Sequence, residues 1–307
     1  MRIVFFGSSG FSVPSLKSIE SSVVAVVTKK ARPKGRGYQL DDNEVKNAAV
    51  GAGLPVIEVD SFRDPAVKSI TAYDPEIFVV VSFGLILPRW ALEVPSLGPV
   101  NIHPSLLPLY RGPSPIQWAL LNGDDLTGVT FIRMNEKMDE GDIVLQEQVA
   151  IAREDNYITL SERLARRAAD LLPGILGRIG SRGIEDARAQ DHAAATYAPI
   201  ITKEMGRIDW NGSAARIDRQ IKAFVAWPVA FTFLDGKLLK IFDSVADESG
   251  EEQRPPGTIT DVTKDGMRVS TAKGALIIRE VQMENKKRMN AYDFSKGYRN
   301  IQGNSLN

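Results

Sequence analysis

An apolar run near the N-terminus, Ile3-Val4-Phe5-Phe6, stops at Gly7-Ser8-Ser9-Gly10. A stretch with Val13, Leu16 and Ile19 at helical spacing follows, and then a second apolar run over residues 23–28. Strand, glycine turn, helix and strand in that order is the pattern of a parallel sheet with crossover helices. The two runs are continuously apolar rather than alternating, which fits strands buried on both faces. Residues 77–82 and 98–102 read as further strands, residues 55–59 as another, and residues 44–53 and 64–73 as helices.

Residues 128–134 and 143–151 read as a strand pair around the turn that holds Asp142. A long helix over residues 159–179 follows, with Leu160, Leu164, Leu171, Leu172 and Ile175 as its apolar positions. Pro173-Gly174 is expected to bend or interrupt it. Residues 186–206 lack a clean period and read as a linker. Beyond it come a helix over residues 213–225, with Ile217 and Ile221 inward, and five short strands separated by turn signals such as Asp235-Gly236, Asp265-Gly266 and Lys273-Gly274. Short strands so closely spaced suggest a small barrel, an OB-like one being a candidate. The polar residues 300–307 are expected to be disordered.

A chain of 307 residues is long for one core, so two domains are the default. The expected division is a first domain over residues 1–186, a linker over 187–206 and a second domain over 207–307. No apolar run is long enough to cross a bilayer, and the N-terminus reads as a buried strand rather than a signal peptide. With no cysteine, disulfides, thiolate nucleophiles and cysteine-based zinc sites are excluded. An intracellular, cytoplasmic protein is expected. A net charge of +0 argues against a broad nucleic-acid surface. It leaves room for local basic clusters, at Lys29, Lys30, Arg32, Lys34 and Arg36, and at Lys286, Lys287 and Arg288.

Of the two histidines, His103 and His192, only His103 has a setting suited to acid–base work. It lies in Asn101-Ile102-His103-Pro104-Ser105-Leu106-Leu107-Pro108, just after the strand at 98–102, with Met138-Asp139-Glu140-Gly141-Asp142 downstream. One site could thus collect an amide, an imidazole and a carboxylate. Asn101 is a neutral donor for a carbonyl oxygen. His103 can relay protons, because histidine titrates near neutral pH. Asp142 would orient His103 and favour its charged form. Gly7-Ser8-Ser9-Gly10 does not complete a G-x-G-x-x-G spacing, and residues 23–28 end without an acid to hold a ribose, so a nicotinamide cofactor is not expected. One useful histidine and no cysteine imply no metal site.

These motifs resemble the folate-dependent formyltransferases, and most closely the methionyl-tRNA formyltransferases. The likeness extends over nearly the whole chain, through Arg32-Pro33, Gly35-Arg36-Gly37, the segment from Phe83 to Pro88, Arg111-Gly112-Pro113-Ser114-Pro115-Ile116-Gln117, Thr196-Tyr197-Ala198-Pro199, Arg207-Ile208-Asp209-Trp210, Trp227-Pro228 and Pro256-Gly257-Thr258-Ile259. The resemblance implies a Rossmann-like parallel-sheet formyltransferase domain followed by a small OB-like β-barrel that holds tRNA. It implies formyl transfer from N10-formyltetrahydrofolate to the amino group of initiator methionyl-tRNA, for initiation of translation, with no metal and no obligate protein partner. Asn101, His103 and Asp142 would be catalytic. Ser105, Leu106, Leu107, Pro108, Phe83, Gly84 and Leu85 would line the folate site. Arg36 and Lys34, in a loop that enters the acceptor stem, and Lys203 would meet tRNA. Ile200 stands where the family commonly has a lysine, and Leu40-Asp41-Asp42-Asn43-Glu44 stands where it commonly has a proline-containing segment.

Three other readings compete. A sugar-nucleotide N-formyltransferase would share Asn101, His103 and Asp142 without needing the basic loop. A nicotinamide-dependent oxidoreductase is opposed by the incomplete glycine pattern. A non-catalytic RNA-binding protein built on the second domain leaves the trio unexplained.

Overall fold

The computed structural model describes residues 1–30, 33–34, 39–40, 43–184, 186–249 and 254–307. Its elements begin with β1 (Ile3–Gly7), α1 (Val13–Ser18), β2 (Val23–Lys29), β3 (Pro33–Lys34), β4 (Gln39–Leu40), α2 (Glu44–Gly51), β5 (Val56–Val59) and β6 (Ile77–Val81). They continue with α3 (Arg89–Leu92), β7 (Pro99–His103), α4 (Pro115–Asn122), β8 (Leu126–Arg133), β9 (Ile143–Ala150) and α5 (Tyr157–Arg182). Then follow α6 (Ala214–Phe224), β10 (Ala230–Leu234), β11 (Lys237–Asp247), β12 (Ile259–Thr263), β13 (Gly266–Ser270), β14 (Ala275–Met283), β15 (Met289–Asn290) and α7 (Ala291–Ser295). The chain divides into two compact units. One comprises Met1–Pro115, Leu126–Ala150 and Ser161–Pro199, and the other Ile116–Asp125, Ile151–Leu160 and Ile200–Asn307.

The first unit is built on a sheet in the order β5-β2-β1-β6-β7-β8-β9. The strands from β5 to β7 are parallel, whereas β8 and β9 run antiparallel. Every residue of β1 and β6 is buried, as continuous apolar strands require when both faces are covered. Phe6 packs on Phe78 and Phe83 with ring centroids 4.9 and 5.3 Å away.

The helices expected over residues 64–73 and 159–179 are both present, with geometry that the sequence left open. The segment Pro65–Tyr73 is a 3-10 helix, not an α-helix. Its apolar residues Val67, Ile70 and Tyr73 recur every third position, which forms one face only at three residues per turn. α5 runs through Pro173 without interruption. The apolar face continues on both sides of the proline, with Ala168, Leu172, Ile175, Leu176 and Ile179 all buried, and so holds the helix where one backbone hydrogen bond is missing.

The second unit carries a sheet in the order β10-β11-β14-β13-β12, with β15 added to β14. α6 starts at a cap in which Ser213 accepts from the Arg216 amide, and it buries Ile217 and Ile221 against this sheet's core. The C-terminal residues overturn the expected disorder. Leu306 bridges to Leu234 on β10 and Ser305 bridges to Thr258 beside β12, so the last residues join the two edges of the sheet. Phe233 and Asn307 exchange amide-to-carbonyl bonds of 3.0 Å in both directions. Leu306 and Ile301 are buried in the core, which anchors an otherwise polar stretch.

Candidate active site

β7 is parallel to β6 and antiparallel to β8, and it carries Asn101 and His103 two residues apart. Strand geometry therefore directs both side chains to the same face of the sheet. Asn101 is half-buried and His103 is buried.

Both ring nitrogens of His103 face acceptors. Nε2 donates to the Tyr110 carbonyl at 2.8 Å. A carbonyl only accepts, so Nε2 carries a hydrogen. Nδ1 stands 3.6 Å from Asp139 Oδ1. Nδ1 is therefore the ring nitrogen on the side of the carboxylate.

The carboxylate beside His103 thus belongs to Asp139, not to Asp142. Asp142 is exposed, and its backbone carbonyl accepts from the Arg133 amide at 2.8 Å as β9 begins. The connection from β8 to β9 leaves beside Pro99, where the Met134 amide donates to the Pro99 carbonyl at 2.9 Å. It then folds back along β7 to reach His103. Asp139 sits in the left-handed region at φ 55°, a conformation that Asp tolerates better than most residues. Its Oδ2 accepts from the Gly112 amide at 2.8 Å, which leaves Oδ1 toward His103. Gly141 lets the turn lie flat on β8, since a Cβ there would collide with the Arg133 carbonyl.

The loop after β7 is bolted to the neighbouring strands. Thr130 Oγ1 donates to the Ser105 carbonyl at 2.6 Å and accepts from the Leu107 amide at 3.2 Å. Gln146 Nε2 donates to the Leu107 carbonyl at 2.8 Å, and Ser105 Oγ to the Leu109 carbonyl at 2.6 Å. The segment 83–88 follows β6, whose Val81 pairs with Ile102, so both loops leave the same end of the sheet. The crevice outside the carboxyl ends of parallel strands is the usual ligand position in such sheets.

A profile described as "Formyl transferase" matches residues 1–176, and one described as "Formyl transferase, C-terminal domain" matches residues 200–299. The methionyl-tRNA formyltransferase of Alkaliphilus oremlandii is 40% identical over 310 residues, spanning 100% of this chain and 99% of that protein. That of Citrifermentans bemidjiense is 41% identical over 303 residues, spanning 97% of this chain and 94% of that protein. The chain belongs to the methionyl-tRNA formyltransferase family. Its fold is also that of more distant structures. A sugar 3N-formyl transferase, WlaRD, solved in the presence of dTDP and 5-N-formyl-THF, superposes with a TM-score of 0.67 at 19% identity, covering 94% of this chain and 99% of that one. HypX from Aquifex aeolicus in complex with tetrahydrofolic acid gives 0.67 at 17% identity, covering 99% of this chain and 50% of that one.

Among the residues expected for a folate pocket in this family, Ser105 and Leu107 are buried, and Leu107 packs with Ile132 and Ile143. Phe83 is committed to the core through Phe6 and Phe62. Leu106, Pro108 and Leu85 are half-buried, Gly84 is exposed, and Ile86, in the same Phe83–Pro88 segment expected to wall the pocket, is 66% exposed. The apolar surface open to a ligand therefore comes from Leu85, Ile86 and Leu106 more than from Phe83 or Leu107. Close packing of Leu106 over β8 depends on Gly128, where a Cβ would collide with Leu106 Cδ2 and the Glu147 carbonyl.

Arg36 lies outside the described residues, and of Lys34 only the backbone, paired with Gln39 in the β3–β4 hairpin, is described. Lys203 is exposed in the second unit, before the 3-10 helix Glu204–Gly206. Among the described residues, no group of three or more His, Asp or Glu side chains could hold a metal ion, and no helix is long and apolar enough to cross a membrane.

Proposed function

We propose that this protein transfers the formyl group of N10-formyltetrahydrofolate to the amino group of initiator methionyl-tRNA by direct acyl transfer. The observation that carries the proposal is the match over the full length to relatives bearing that name, at about 40% identity. The placement of Asn101 and His103 on one strand face supports a common reaction centre.

In this reading the methionyl amine attacks the formyl carbon, and the carbonyl electron pair moves onto the oxygen. Asn101 donates to that oxyanion, where preorganised donors act most strongly. The new ammonium gives up a proton, and N10 must receive one as its bond to the formyl carbon breaks. His103 handles that proton at Nδ1, with Asp139 opposite to stabilise the imidazolium, while the Tyr110 carbonyl fixes the ring through Nε2. No covalent nucleophile is needed. Leu85, Ile86 and Leu106 offer apolar surface of the kind a flat pterin ring packs on.

The same proposal assigns chemistry to the first unit and tRNA holding to the second, with Arg36, Lys34 and Lys203 as tRNA contacts. The cytoplasm is its expected place of work, because methionyl-tRNA is made and used there. Incubation with formyltetrahydrofolate and either methionyl-tRNA or an amino sugar nucleotide tests the reading. Formyl incorporation into methionyl-tRNA is expected. Incorporation into the sugar alone would replace the reading with a sugar-nucleotide transferase.

A further inference from the structure

Arg111 is among the most deeply buried large side chains in the protein, at 2% exposure. A buried guanidinium is costly unless its donors are used. Here Nε and Nη2 donate to Gln190 Oε1 at 3.2 and 2.8 Å, Nη2 also meets His192 Nδ1 at 2.9 Å, and Nη1 lies 3.5 Å from Glu140 Oε1. The amide of Gln190, itself 5% exposed, donates from Nε2 to the carbonyls of Asp139 and Gly141, at 2.8 and 2.7 Å. One side chain therefore holds the backbone at Asp139 and again two residues on. The arginine fixes which end of that amide points at the turn, because only the oxygen can accept from a guanidinium.

This wiring addresses a specific difficulty. Asp139 occupies a left-handed conformation and must aim one oxygen at the Gly112 amide and the other at His103. A short connection between two strands has no intrinsic reason to hold that state. We propose that Gln190, oriented by the buried Arg111, is a positioning residue for formyl transfer, clamping the 139–141 backbone so that the Asp139 carboxylate stays opposite His103. This rests on the reading that His103 and Asp139 handle the proton. Gln190 touches no reacting atom; it acts through Asp139.

The test compares Gln190→Glu and Gln190→Leu. The first keeps an acceptor for Arg111 but removes the amide hydrogens, and its near-identical size guards against a variant that does not fold. Amide hydrogen exchange at Gly112 reads the clamp itself. It is expected to accelerate about 10-fold or more, while the Ala198 amide, which donates to the Arg111 carbonyl at 2.7 Å, is unaffected. Single-turnover formylation of methionyl-tRNA is expected to slow about 10- to 100-fold, the scale of a misplaced catalytic group, with KM for both substrates within about 2-fold. In an Asp139→Ala background, Gln190→Leu is expected to add less than about a 2-fold loss, since residues acting through one another are not additive.

Unchanged Gly112 exchange, or an equal loss of turnover in both backgrounds, overturns the proposal. Accelerated exchange with wild-type turnover also overturns it, and places the fault in the assignment of chemistry to Asp139. A wild-type protein that does not formylate methionyl-tRNA sinks the functional reading instead, and the exchange measurement still decides whether the clamp exists.

Discussion

His103 Nδ1 and Asp139 Oδ1 face each other across 3.6 Å, and the opposite ring nitrogen is tied to the Tyr110 carbonyl at 2.8 Å. The imidazole is thus held from one side by a neutral acceptor and from the other by a carboxylate. Asp142, three residues further on, points to solvent.

The two aspartates are separable by substitution. Asp139→Asn is expected to lower turnover about 100-fold, in the range of general acid–base contributions, while Asp142→Asn stays within about 2-fold of wild type. Steady-state formylation of methionyl-tRNA by both variants makes the comparison, and the reverse ranking would restore Asp142.

Asn101 is assigned to the oxyanion. Its replacement by alanine is expected to cost about 100- to 1000-fold in kcat, the usual loss for one such donor. Folate and tRNA affinities, measured by equilibrium titration, should hold. A loss confined to KM would mean that Asn101 only seats the substrate.

Much of this architecture was legible in the sequence because the relevant forces are local. β1 and β6 are unbroken apolar runs, and Ile217 and Ile221, four residues apart, mark the inward face of α6. What was not legible depends on distant partners. Acids fill three of the five positions from Met138 to Asp142, and spacing alone does not say which faces inward. That is decided by the left-handed backbone at Asp139 and by the Gly112 amide, 27 residues away. Gln190 lies in a stretch without period that read as linker, yet it reaches back 51 residues to the Asp139 carbonyl. An Asp two residues before a glycine signals a turn there, but not the direction of its carboxylate. The C-terminal residues misled in the same way, because their polar composition concealed a backbone role.

That backbone role has a measurable consequence. Leu306 is 2% exposed and sits where the two sheet edges meet. Leu306→Ala is expected to destabilise the second unit by about 2–5 kcal/mol, as for other buried leucines. Denaturant melts followed by Trp210 fluorescence read this, since Trp210 shares that core. A shift below about 0.5 kcal/mol, typical of exposed positions, would show that the end of the chain is not part of the core.

A second stability effect depends on pH. The Ser249 hydroxyl, at 2.6 Å from Asp247 Oδ1, and then Arg268 hold the Asp247 carboxyl well below the usual carboxylate range. A folded-state value lowered in this way contributes stability that is fully present above the unfolded value, about 3.9, and is lost as the pH falls toward the folded one. Asp247→Asn should therefore lower the melting temperature at pH 7, with the gap to wild type shrinking below about pH 4. A gap that stays constant across that range would remove the charge from the explanation.

The central claim is that His103 carries the proton of formyl transfer to methionyl-tRNA. Single-turnover formylation by His103→Ala, with tRNA binding measured in parallel, tests it most directly. A rate reduced about 100-fold or more with binding intact is predicted; a rate near that of wild type would contradict the claim.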